Sequence, residues 1–142
     1  MANKHKHVEK ALSNEAFLPV IARHDGHYDW YITTVFYAGV HWVRAYLADA
    51  GIGAADAEEI IYDDFPRHIR AIYRGVHGNI EAADDVIDEF ASLKRLSRRS
   101  RYACMAPSWY AQRTGDAEAH LSALCAFVGK QGIDTSDRKP FP

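Results

Sequence analysis

Residues 28–47, YDWYITTVFYAGVHWVRAYL, run for twenty positions with no proline and a single glycine, Gly39. The stretch is apolar around most of a helical circumference, yet it carries Thr34, Tyr37, His41 and Arg44. A helix apolar on most sides belongs at the centre of a bundle. Polar groups inside such a helix cost free energy unless they are paired. Either the bundle satisfies these four side chains internally, or they line a site. This one segment commits the chain to an all-α core.

The remaining segments agree. Val8, Leu12, Phe17, Val20 and Ile21 recur at helical spacing and predict a first helix over residues 4–22, which Pro19 should shorten or kink. His24-Asp25-Gly26-His27 reads as a turn. The second helix covers residues 29–50, with Gly51 placed to cap its C-terminus. A connection follows, with a short helix over 55–61 whose Asp56, Glu58 and Glu59 suit a first turn. A third long helix begins at Phe65 or Pro66 and ends near His77. The next covers 80–101 on the stripe Ala83, Val86, Ile87, Phe90, Leu93 and Leu96. Pro107 falls in a loop, a last helix spans 116–130, and Gly132 closes it. No paired strands and no repeat are visible. The expectation is an up-and-down all-α bundle of four to five helices in one domain, residues 1–132, with a loose tail over 133–142.

Length and composition narrow the function classes. A chain of 142 residues with a formal net charge of -2 is one domain and not a polycation. The charge is uneven, however: residues 54–64 are acidic, and residues 94–101, KRLSRRSR, are strongly basic. Two cysteines, Cys104 and Cys125, form no CxxC and suggest no disulfide framework. The N-terminus has no apolar stretch of the kind that marks a signal peptide, and the longest helix is amphipathic. The expectation is a cytoplasmic protein.

Several residues carry possible chemistry. Tyr37 and His41 are i, i+4 neighbours, with Thr34 and Arg44 on the same or an adjoining face. They form either a polar cleft or a buried, internally bonded histidine. Five cations, Lys94, Arg95, Arg98, Arg99 and Arg101, exceed what a helix C-terminus needs. They suit phosphate, or they pair with the acidic segment. Ser97, Ser100 and Tyr102 lie among them and offer neutral phosphate contacts. Arg67, His68 and Arg70 open the third helix at an anion-friendly end. There is no Glu-x-x-His, no phosphate loop and no nucleophile elbow, so neither a metal nor a cofactor is expected.

The text FYAGVHWVRAYL in the second helix resembles the FYAxxHxxxAxL segment of small bacterial proteins of the HEPN superfamily. SRRSRY at residues 97–102 resembles that family's helix ending, Tyr-x-x-Leu-x-x-x-Ser-Arg-x-x-Arg-Tyr, with Phe90 in place of the first tyrosine and Leu93 kept. Arg67-His68-Ile69-Arg70 is similar to the family's third-helix opening. The likeness covers about half the chain, residues 29–102. It implies a bundle commonly paired as a homodimer. Many members are metal-independent ribonucleases of toxin–antitoxin and antiviral systems, using an Arg-x4–6-His motif in which Arg holds phosphate and His moves the proton. Others lack the motif and bind nucleotides or proteins. Here no histidine follows Arg98, Arg99 or Arg101 at that spacing, and Arg70 and His77 have it on the third helix instead.

Three functions therefore stand side by side: a binding module for a nucleotide or an RNA phosphate, a metal-independent ribonuclease with a rearranged site, and a non-catalytic partner in a toxin–antitoxin or defence pair. The expected site gathers His41, His68, Arg98 and Arg101 as the chemical groups, with Tyr37, Arg67, Arg70 and Tyr102 holding the ligand.

Overall fold

The computed structural model describes residues 4–23, 27–52, 61 and 81–142. Among these residues there are four helices and no strand: α1 (Lys4–Ala22), α2 (Tyr28–Asp49), α3 (Glu81–Tyr102) and α4 (Pro107–Lys130). The expected third long helix and its His68, Arg67, Arg70 and His77 lie outside the described residues. So does the short helix expected at 55–61, apart from Ile61, which is buried in the core.

The central rod is α2, packed against α1, α3 and α4. Thirteen of its residues are buried, Ile32, Val35, Trp42 and Leu47 among them. The α1–α2 pair is antiparallel, since Lys4 meets Asp49 at one end and His7 meets His41 further along. Asp29 meets Ser100 and Phe36 meets Phe90, so α3 runs antiparallel to α2. Tyr31 meets Glu118 and Tyr46 meets Phe127, so α4 runs parallel to α2 and antiparallel to α3. Gly39 sits where three helices converge. A Cβ there would lie 3.0 Å from Leu93 Cδ2 and 3.3 Å from Leu124 Cδ1, so the missing side chain sets how closely α2 approaches α3 and α4.

Two helix ends follow the same rule. Gly51 (φ 87°) and Gly132 (φ 93°) take the left-handed conformation that an L side chain resists. Behind each, the next amide reaches back five residues, Ile52 N–H to Leu47 O and Ile133 N–H to Val128 O. These are Schellman closures with an apolar residue after the glycine.

α1 has the expected bounds and continues past Pro19 to Ala22. Two other sequence expectations change. The last helix begins at Pro107, nine residues before the expected start: Pro107 is a helix-initiating residue, its missing N–H being one of the donors a first turn leaves unpaired anyway. Gly115 lies inside this helix, a tolerated glycine. The tail after Gly132 is tied down. Arg138 Nε donates to buried Glu15 at 2.8 Å, its guanidinium lies over the Phe141 ring, and Ile133 is buried.

No helix among the described residues is long and apolar enough to cross a membrane.

Candidate functional site

Among the described residues, His41 does not meet the arginines of the expected site. Its Nδ1 lies 3.3 Å from His7 Nδ1 and the two rings stack, so its partner comes from α1 and not from an arginine of α3. Burial, then the charges of Arg44, His7 and Lys10, push the His41 pKa down to about 4. His41 is thus a neutral ring in the α1–α2 seam. Arg101 does reach α2, but at Tyr37, whose hydroxyl accepts from Nη1 at 3.4 Å. Its Nε also donates to Ser97 O, and its guanidinium lies over the Tyr102 ring. Arg98 is exposed, and Tyr102 is 78% exposed. Ser97 and Ser100 are buried and unavailable to phosphate; the Ser100 hydroxyl donates to Ser97 O. The basic block is therefore split by helical geometry: successive residues point in different directions, and the five cations do not form one patch.

Two of them do converge with others. Arg95 and Arg99 lie i, i+4 on the face of α3 that meets α4, in line with Glu89 and Ser92. Opposite them, α4 presents Trp109, Arg113, Asp116 and His120, spaced i, i+4, i+7 and i+11 along one stripe. Between the two stripes lies a groove of about 260 Å³ lined by Arg95, Arg99, Trp109, Arg113, Asp116 and His120. Neither Arg95 nor Arg99 has an ion-pair partner among the described residues. Arg113 is held by Asp116 at 2.6 Å, with its guanidinium carbon 6.0 Å from the Trp109 ring centroid.

His120 is the chemical centre of this groove. Its Nδ1 is 2.6 Å from Glu89 Oε2 across the helix pair. A carboxylate only accepts, so Nδ1 carries the hydrogen, and whenever the ring is neutral the lone pair is on Nε2. That is the arrangement by which a carboxylate fixes the tautomer and angle of an imidazole that works as a base. The turn between the helices is pinned close by: Tyr110 donates to Ala103 O at 2.8 Å and accepts from Met105 N–H at 3.4 Å. A base and up to three guanidinium groups around one cleft can hold a phosphodiester and take a proton beside it.

The sequence carried a signal for this groove. Arg113 and His120 are separated by six residues, which satisfies the Arg-x4–6-His spacing. It was hidden because residues 107–115 read as loop, so the stripe from Trp109 to His120 had no helix to lie on. Glu89 left no such trace, since its partner is 31 residues away.

Among the described residues, no three His, Cys, Asp or Glu side chains gather as a metal site. Cys104 and Cys125 are both free, and burial pushes the Cys125 thiol up to about 12. Compared with known proteins, the chain matches no family model, no curated protein and no solved structure at a significant level.

Proposed function

We propose that this chain is a HEPN-like RNA-binding protein whose α3–α4 groove holds the RNA backbone and cleaves it without a metal. The observation that carries this reading is His120, bonded to Glu89, in a groove with Arg95 and Arg99, which have no ion-pair partner among the described residues, and with Arg113 at the spacing the resemblance asks for. Arg95, Arg99 and Arg113 hold the phosphate and offset the charge that builds on it in the transition state. His120 Nε2 takes the proton of the ribose 2′-hydroxyl as the 2′-oxygen bonds to phosphorus. The bond from phosphorus to the 5′-oxygen breaks, that oxygen takes a proton from water, and the hydroxide so formed takes back the proton held on His120. The products are a 2′,3′-cyclic phosphate and a 5′-hydroxyl. Trp109 offers an aromatic face beside the phosphate site.

The test uses the purified chain, single-stranded RNA and EDTA, with product ends identified by mass. Cleavage to cyclic-phosphate ends is expected. His120→Ala should lower the rate by about 10²–10⁴-fold, the usual contribution of a general base. Arg99→Ala should weaken RNA binding and flatten its salt dependence. Salt-sensitive binding with no cleavage would leave a nucleotide- or RNA-binding module. No binding at all would end both readings. The homodimer and a cognate antitoxin or defence partner rest on the resemblance alone.

A further inference from the structure

At the opposite side of α4 from the arginine groove, Glu118 occupies an unusual position. It is half-buried, and its one hydrogen-bond partner among the described residues is the Tyr31 hydroxyl, which donates to Oε1 at 3.2 Å. No cation pairs with it among the described residues. A carboxylate drawn out of water without a cation is costly. Consistent with that, burial raises its pKa, and the Tyr31 hydrogen bond offsets the rise only in part. Burial also raises the Tyr31 pKa, with the Glu118 charge adding to it, so the phenol stays a donor.

Beside Glu118 a cavity of about 150 Å³ opens at the end of the bundle, lined by Ile21, His27, Tyr28, Tyr31, Thr114 and Glu118. Its chemistry is the Glu118 carboxylate, two tyrosines, the His27 imidazole, the Thr114 hydroxyl and an apolar floor. Aromatic faces attract cations and a carboxylate neutralises them. Mg²⁺ or Ca²⁺ wants six or more oxygen ligands and Zn²⁺ about four nitrogen, sulfur or oxygen ligands, and no three His, Cys, Asp or Glu side chains gather here among the described residues. An anion meets the carboxylate. The volume admits only about five water-sized groups, at ~30 Å³ each, so the ligand is small.

We propose that this cavity binds an alkylammonium group, with the charge on Glu118, the carbon atoms against Tyr28 and Tyr31, and an N–H donated to Thr114. The group arrives either as a free small amine or as a lysine side chain of a peptide, and the two are separable by experiment. The site is independent of the RNA groove and stands whether or not RNA is cleaved.

The test is titration of the folded chain by NMR or calorimetry at fixed ionic strength. The probes are propylammonium, tetramethylammonium, a short lysine-containing peptide, and n-butanol as the uncharged control. Saturable one-to-one binding of propylammonium is expected, with shifts confined to residues around Tyr28, Tyr31 and Glu118. Binding should weaken at least tenfold in Glu118→Gln, which keeps the shape and removes the charge, and also fall in Tyr28→Leu. Tighter binding of the peptide than of propylammonium assigns a peptide source; the reverse assigns a free amine. The proposal is overturned if no probe saturates, if n-butanol binds as well as propylammonium, or if Glu118→Gln binds unchanged while its melting curve shows a folded protein.

Discussion

His7 and His41 meet nitrogen to nitrogen in the α1–α2 seam, and this contact has a consequence in acid. The groups that face His41 are His7 and Lys10 from α1 and Arg44 from α2, all of them cations or potential cations. In the folded protein His41 takes up a proton near pH 4, whereas in the unfolded chain it does so near 6.5. The unfolded state thus binds more protons between those values, and stability falls as pH falls from 6.5 through 4. Above 6.5 the term is fully present. The ring is partly exposed, so solvent screening reduces the loss to on the order of 1–2 kcal/mol. Urea unfolding of wild type and His41→Gln at pH 7.5, 5.5 and 4.5 checks it: wild type should lose stability faster, because the variant no longer has the titrating ring. Parallel losses would refute it. The sequence marked His41 as a polar group inside an apolar helix, and that much was legible. Its partner was not, because His7 is 34 residues away in a segment rich in solvated polar residues.

At the scale of the helix, boundaries written by local chemistry were readable and packing was not. Gly51 and Gly132 announce their helix ends because only a left-handed residue closes them. Replacing Gly132 with Ala should cost about 1–2 kcal/mol in denaturant unfolding, the strain of the left-handed conformation. Pro107 misled, since a residue type that breaks helices also starts them. Gly39 is a different case: its role depends on Leu93 and Leu124 arriving from two other helices. Gly39→Val should destabilise by about 1–3 kcal/mol through overpacking at that crossing, with helix content unchanged by circular dichroism. A stabilised variant would mean that the space fills more easily than the 3.0 Å approach suggests.

The whole molecule is held by contacts that join distant parts of the chain, and these were the least legible. The apolar periodicity implied a bundle, but it could not say that α1 is fastened to the C-terminal tail. The fastening passes through Glu15, whose side chain is 6% exposed. One carboxylate oxygen accepts from Trp42 Nε1 at 2.8 Å, and the other accepts from Arg138 Nε at 2.8 Å. A buried carboxylate so arranged contributes little over an apolar replacement of the whole pair, yet losing one partner strands the other. Arg138→Met should therefore cost about 3 kcal/mol, because Glu15 keeps its charge and only the indole donor. Glu15→Gln in that background should restore part of the loss, since the amide carries no charge and its oxygen still accepts from Trp42. Unfolding of wild type, both single variants and the double variant measures the coupling directly. A coupling near zero would mean that the tail is held by Ile133 and Phe141 alone, and that the ion pair merely accompanies apolar docking.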